Sequence, residues 1–182
     1  MMIERYTLPE MGEIWSETAK FKTWLDVELA ACQANFELGN ISQEDLNQIK
    51  TKSRFNVERI KEIEKEVKHD VIAFLTNLNE YVGDAGRFIH VGMTSSDILD
   101  TGLSLQLRES CDLLINEIEI LENVIRDLSS QHKDTLMIGR SHAIHGEPIS
   151  FGFKLAGWLA EVIRNKKRLK DLKTKIAIGQ IS

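Results

Sequence analysis

Proline is nearly absent from this chain, with two in 182 residues, and eleven glycines supply most of the remaining breaks. So few interruptions favour long helices. Cysteine is as scarce. Cys32 and Cys111 each occupy an apolar position of a helical pattern, which reads as buried reduced thiols and excludes a disulfide scaffold. Long apolar runs are lacking too: the strongest are a few residues, such as Val71 to Leu75, far short of the roughly 20 needed to span a bilayer. The N-terminus carries Glu4 and Arg5 where a secretory leader would have its apolar segment, so no signal peptide is expected and the chain reads as soluble and cytoplasmic, without a membrane partner. Basic excess is missing as well. A net charge of −5 and a pI near 5.6 argue against nucleic acid as a partner. The densest basic run, Arg164-Asn165-Lys166-Lys167-Arg168, alternates with leucines further on and reads as the solvated face of a helix.

What is present is enough apolar residue, 42%, to bury a core, and 28% charged residues to solvate it. Pro9 suits the first position of a short helix reaching Trp15. Ser16 caps a second helix, on which Phe21, Trp24, Leu25, Leu29, Cys32 and Phe36 recur three and four apart before Gly39. Ser42 and Asn56 cap the next two. Asp70 is expected to cap an apolar helix from Val71 to Val82 that stops at Gly83. After a loop through Met93, Thr94-Ser95-Ser96-Asp97 opens a helix with a heptad seam of Leu107, Cys111, Leu114, Ile118, Leu121, Ile125 and Leu128. Running to about Lys133, it would be on the order of 55 Å long and would need a bundle or a second subunit to cover it. Thr135 begins a short extended link, and Pro148 is expected to start another long helix antiparallel to the first. No strand-rich region or repeat is visible, so the expected class is all-α. The apolar stop at Ile176 to Ser182 suggests a truncated chain.

Three polar clusters fall at the ends of these helices: Lys68-His69-Asp70, His90 through Ser96, and Arg140 through His145. They hold four of the five histidines, the side chains that titrate nearest neutrality. Each has a plain structural reading. His69 could be a solvated histidine at a helix junction, Thr94 to Asp97 a cap, and Gly139 to Pro148 a polar turn. Taken together they supply an acid or base, cations, hydroxyls and helix N–H groups that suit an anion. Neither a paired-cysteine nor an H-E-x-x-H pattern supports a metal, and Walker, Rossmann and G-x-S-x-G signatures are lacking. Proton transfer on an anionic substrate without a cofactor fits best.

These residues carry a family resemblance. Glu4-Arg5-Tyr6-Thr7, Lys68-His69-Asp70-Val71, His90-Val91-Gly92-Met93-Thr94-Ser95-Ser96-Asp97 and Gly139-Arg140-Ser141-His142 resemble, in order, the motifs of adenylosuccinate lyases of the fumarase/aspartase superfamily. Ala143-Ile144-His145-Gly146-Glu147-Pro148 follows His142 as in those enzymes, where fumarases and aspartases usually have Leu-Gln. Ser141 stands where Thr is commoner and keeps the hydroxyl.

The resemblance implies β-elimination of fumarate from adenylosuccinate, giving AMP, and from the succinyl-carboxamide intermediate SAICAR of purine synthesis, giving AICAR. It implies His142 as the acid that protonates the departing nitrogen, with His69 also counted as catalytic. Arg5 and Tyr6 would lie at the nucleotide end, with Lys68, His69 and Asp70 as a second group touching substrate. Thr94 and Ser95 would hold a substrate carboxylate, and His90 would be a further histidine of the site. No cofactor and no metal are implied. The fold implied is a small N-terminal helical domain over residues 1–93, followed by the first long antiparallel helices of a bundle over 94–182.

The family's serine base lies on a Ser-Ser-Met/Ala-Pro-x-Lys-x-Asn-Pro loop that this sequence does not contain. Family chains are more than twice as long and assemble sites from three subunits of a homotetramer, so this segment alone is expected to be inactive. Another superfamily lyase, such as argininosuccinate lyase, and a non-catalytic helical assembly module are the alternative readings.

Overall fold

The computed structural model describes residues 3–182, the side chain of Glu4 excepted. Its described residues form a mostly helical chain: α1 (Pro9–Ile14), α2 (Glu17–Glu37), α3 (Gln43–Lys52), α4 (Val57–Val67), α5 (Asp70–Val82), α6 (Ser95–Gln131) and α7 (Phe151–Ile176). Two short 3-10 turns, Glu4–Tyr6 and Gly83–Phe88, and two strands, β1 (Leu136–Ser141) and β2 (Ile144–Ser150), complete it. No helix among the described residues is long and apolar enough to cross a membrane.

The chain divides into two compact units. One comprises the residues up to Glu109 together with Ala177–Ser182, and the other Ser110–Ile176. In the first, the helix starts follow from side-chain oxygens that accept otherwise unpaired N–H groups. Ser16 Oγ accepts from Ala19 N at 3.0 Å, Ser42 Oγ from Asp45 N at 3.0 Å and Asn56 Oδ1 from Arg59 N at 2.9 Å. Pro9 stands in the first turn of α1, where its missing N–H costs nothing. The apolar stripes meet in a core of Phe21, Trp24, Ile60, Ile63, Val71, Phe74, Leu78 and Ile98. Phe21 stacks on Phe74 at 5.6 Å between ring centroids, and Trp24 meets both rings edge-on. A second cluster joins Cys32, Ile41, Leu46, Ile49, Val82 and Ala85. Both cysteines are buried free thiols, as expected. Burial and the nearby Glu28 carboxylate push the Cys32 thiol up to about 11.

In the second unit, α6 and α7 run antiparallel, as expected. Ion pairs step one way along α6 and the other way along α7: Asp112 with Lys173, Glu119 with Lys170, and Glu122 with Lys166. The basic run is thus partly a pairing face, with Lys166 and Arg126 together holding the Glu122 carboxyl below its ordinary range. Cys111, Ile115 and Ile125 are buried on α6, whereas Leu114, Leu121, Val124 and Leu128 stay exposed.

One departure from the expected all-helical layout lies between these helices. The link from Thr135 is an antiparallel hairpin rather than a loop, with Leu136 opposite Ser150 and Ser141 opposite Ile144. Pro148 does not start α7. It lies in β2 opposite Ile138, a place open to proline because a two-stranded ribbon has free edges. α7 begins three residues later, where Ser150 Oγ accepts from Phe153 N at 3.1 Å.

Candidate functional site

The junction of α4 and α5 is built by two backbone reversals. Lys68 ends α4 in the left-handed region, φ 55°, and His69 returns to extended backbone, φ −151°. His69 then caps α5: its Nδ1 accepts from Ile72 N at 3.4 Å. The expected cap, Asp70, is instead the first residue of the helix, and its Oδ1 accepts from the adjacent Val71 N at 2.8 Å. An imidazole nitrogen can do the work of a capping oxygen when its lone pair faces the helix end. With Nδ1 so engaged and 3.5 Å from Asp70 Oδ1, Nε2 is the atom open to a ligand. The side chain is 46% exposed. Lys68, His69 and Asp70 therefore sit together at a helix mouth, held by bonds within the junction itself.

The second cluster is held from below by a residue absent from the sequence-based candidates. Glu28, on α2, is buried at 1% exposure, and its carboxylate grips His90 twice. Oε2 accepts from the His90 backbone N–H at 3.0 Å, and Oε1 lies 2.6 Å from Nδ1. The His90 side chain is 19% exposed, and its backbone is left-handed, φ 68°, a conformation uncommon for a non-glycine residue. Burial raises the Glu28 carboxyl above its ordinary range, against the opposing pull of His90. The signal for Glu28 was its spacing. It falls four residues after Trp24 and four before Cys32, a carboxylate on the buried stripe of a helix, where ionisable groups are rare unless partnered.

Thr94 and Ser95 follow at the start of α6. Thr94 N donates to Asp97 Oδ2 at 2.8 Å, the reach-back half of a capping box. Asp97 is fully buried and is held below its ordinary range first by the Thr94 N–H, then by Ser182, with His90 contributing at longer range. The carboxylate of Asp97 thus does the capping, which leaves the exposed Thr94 side chain and the half-buried Ser95 side chain at the N-terminal end of a 37-residue helix. Hydroxyls and first-turn N–H groups at such a place suit an anion. The structure brings His90, Thr94, Ser95 and Asp97 into one cluster.

In the second unit, the hairpin carries Arg140, Ser141, His142 and His145. Its two-residue turn is His142-Ala143, with φ 52° and 62°, the double left-handed geometry that matches strand twist. At Gly139 the register shifts, so that Gly146 and Glu147 lie against one residue, a β-bulge. A side chain at position 139 would place its Cβ 2.7 Å from the Glu147 carbonyl, which only glycine avoids. The bulge and turn project residues 140–148 as a wholly exposed tip, with His142 at its apex. His132 is half-buried: Nδ1 lies 3.1 Å from Thr135 Oγ1, and the ring packs against Phe151.

At the N-terminus, Arg5 and Tyr6 are exposed on a single 3-10 turn, the guanidinium 4.8 Å from the Tyr6 ring centroid. Among the described residues no group of three or more His, Cys, Asp or Glu is placed to hold a metal.

A family profile described as Lyase matches residues 4–182. The chain is 62% identical to adenylosuccinate lyase from Synechocystis sp. and 48% identical to adenylosuccinate lyase from Aquifex aeolicus. Both matches take in the whole chain but only 42% of each relative. Among solved structures it is similar to a fumarate lyase from Mesorhizobium sp., with a TM-score of 0.92 and 27% identity over all of this chain and 44% of that one. It is also similar to a 3-carboxy-cis,cis-muconate lactonizing enzyme from Pseudomonas putida, with a TM-score of 0.89 and 29% identity over 97% of this chain and 42% of the other.

Proposed function

The chain belongs to the lyase family, and from that premise we propose that the protein carrying it is an adenylosuccinate lyase. It would release fumarate from adenylosuccinate to give AMP, and from SAICAR to give AICAR. The observation that carries this reading is the 62% identity to an adenylosuccinate lyase over the whole of this chain. Residues 1–93 would be the N-terminal domain and 94–182 the opening of the helical bundle.

The chemistry follows from what each cluster can supply. Elimination removes a proton from the carbon beside a carboxylate, the C–N bond breaks, and the nitrogen leaves with a proton. Thr94, Ser95 and the first-turn N–H groups of α6 would hold the carboxylate and stabilise charge growing on the adjacent carbon. His142 would give its proton to the nitrogen, a task suited to an imidazole near neutral pH. Arg5, Tyr6, Lys68, His69 and Asp70 would bind the nucleotide portion, and His90 would touch substrate through Nε2.

A wholly exposed acid is a poor catalyst, because water competes for every proton and screens every charge. The tip at His142 therefore calls for further protein surface around it, which a homotetramer in the cytoplasm would supply. The serine base would come from outside these 182 residues. The test is fumarate release, followed by absorbance, from both substrates by the longer protein and by residues 1–182 alone. Release by the longer protein only is expected; turnover by the isolated chain, or none by the longer protein, would overturn the reading.

A further inference from the structure

In the buried Glu28–His90 contact of the first unit, the proposed chemistry gives His90 a place against the substrate but leaves Glu28 without a task. We propose that Glu28 is a positioning residue, fixing the proton of His90 on Nδ1 and so presenting Nε2 to the ligand as the atom that gains, loses or accepts a proton. The inference rests on the reading of His90 as a residue of the lyase site. Three observations carry it. Both carboxylate oxygens are committed to one residue, Oε2 to its backbone N–H and Oε1 to its ring. The ring contact, at 2.6 Å, is as short as charge-assisted pairs become, so an ionised carboxylate accepting from Nδ1–H is the arrangement that fits. The left-handed backbone of His90 is a cost that these two bonds offset, which fixes where the ring points as well as its tautomer. The other ionisable groups near the pair are Asp97, which feels the charge of His90, and the Cys32 thiol, which feels that of Glu28.

This geometry makes Glu28→Gln a specific probe rather than a mere deletion. The His90 backbone N–H always donates, so it would recruit the amide oxygen of Gln and turn the amide NH2 toward the ring. Nδ1 would then have to accept, and the proton would move to Nε2. The size of the side chain is unchanged while the tautomer inverts.

Solid-state 15N spectra of the full-length protein, labelled in histidine and assigned by the signal lost in His90→Asn, read the tautomer directly. The expected result is a neutral His90 protonated at Nδ1 in the wild type and at Nε2 in Glu28→Gln. An unprotonated Nδ1 in the wild type overturns the proposal even if the variant does not fold. So does a Glu28→Gln spectrum unchanged from wild type, the outcome for a carboxylate that serves only the backbone. In the kinetic arm, Glu28→Gln is expected to lower kcat/KM for fumarate release by on the order of 10-fold or more. The double variant with His90→Asn should be no slower than His90→Asn alone, and fully multiplicative losses would contradict the inference. A wild-type protein releasing no fumarate would defeat the lyase reading, leaving the tautomer to be decided by the spectra.

Discussion

Ala143 is the residue whose local chemistry and position disagree most. At φ 62° its Cβ crowds the following carbonyl, a cost of about 1–2 kcal/mol that glycine does not bear. Ala143→Gly is expected to stabilise the protein by about 1 kcal/mol, once the greater freedom of glycine in the unfolded chain is subtracted; the denaturant midpoint measures it, and a lower midpoint would contradict the assigned turn. Asp97 gives a pH-dependent prediction. Its carboxyl is held below the ordinary value of 3.8, chiefly by the Thr94 N–H. Its contribution is therefore present above that pH and is lost as pH falls through the lower folded value. The stability gap between wild type and Asp97→Asn should narrow as pH falls below about 4, and a gap that widened on acidification would refute the sign. Glu28 could have been suspected from the helical stripe, but its partner could not. His90 lies 62 residues away, and only folding brings them together.

Two glycines decide how closely elements approach. A methyl group at Gly102 on α6 would lie 2.8 Å from the Trp24 ring. The helix would gain about 1 kcal/mol of propensity, yet overpacking a full core costs about 1–3 kcal/mol, so Gly102→Ala should be destabilising on balance. Gly152, at the start of α7, meets backbone instead: its Cβ would fall 2.7 Å from the Lys133 Cα and N. Backbone cannot rotate aside as a side chain can, and Gly152→Ala should cost about 2–3 kcal/mol, more than Gly102→Ala in the same thermal unfolding series. The reverse order would show that the segment after α6 is free to shift.

The helices were legible because their signals are local: three- and four-residue spacing, with Ser16, Ser42 and Asn56 in the capping positions. The hairpin was not. Its turn is His-Ala where Asn-Gly would announce one, Gly139 and Gly146 stand inside its strands, and Pro148 imitates a helix start. Pairing across the bulge, which no short window contains, decides that segment.

At the scale of the molecule, the described residues present two kinds of unfinished surface. α6 leaves Leu114, Leu121, Val124 and Leu128 exposed, and the hairpin offers an unshielded imidazole at its tip. Both fit a segment that spans 42% of the length of the adenylosuccinate lyases it matches. The motifs that point to the site were readable from sequence because each lies at a helix end or turn. Their arrangement around a substrate was not, because in the proposed reading it would depend on surfaces contributed from elsewhere. The central claim is that His142 delivers the proton on which C–N cleavage depends. The most direct test is turnover of adenylosuccinate by the full-length protein with His142→Ala. A fall of roughly 100-fold to 10,000-fold in kcat, the usual worth of a positioned acid, is the expected result, and turnover close to that of the wild type would contradict the account.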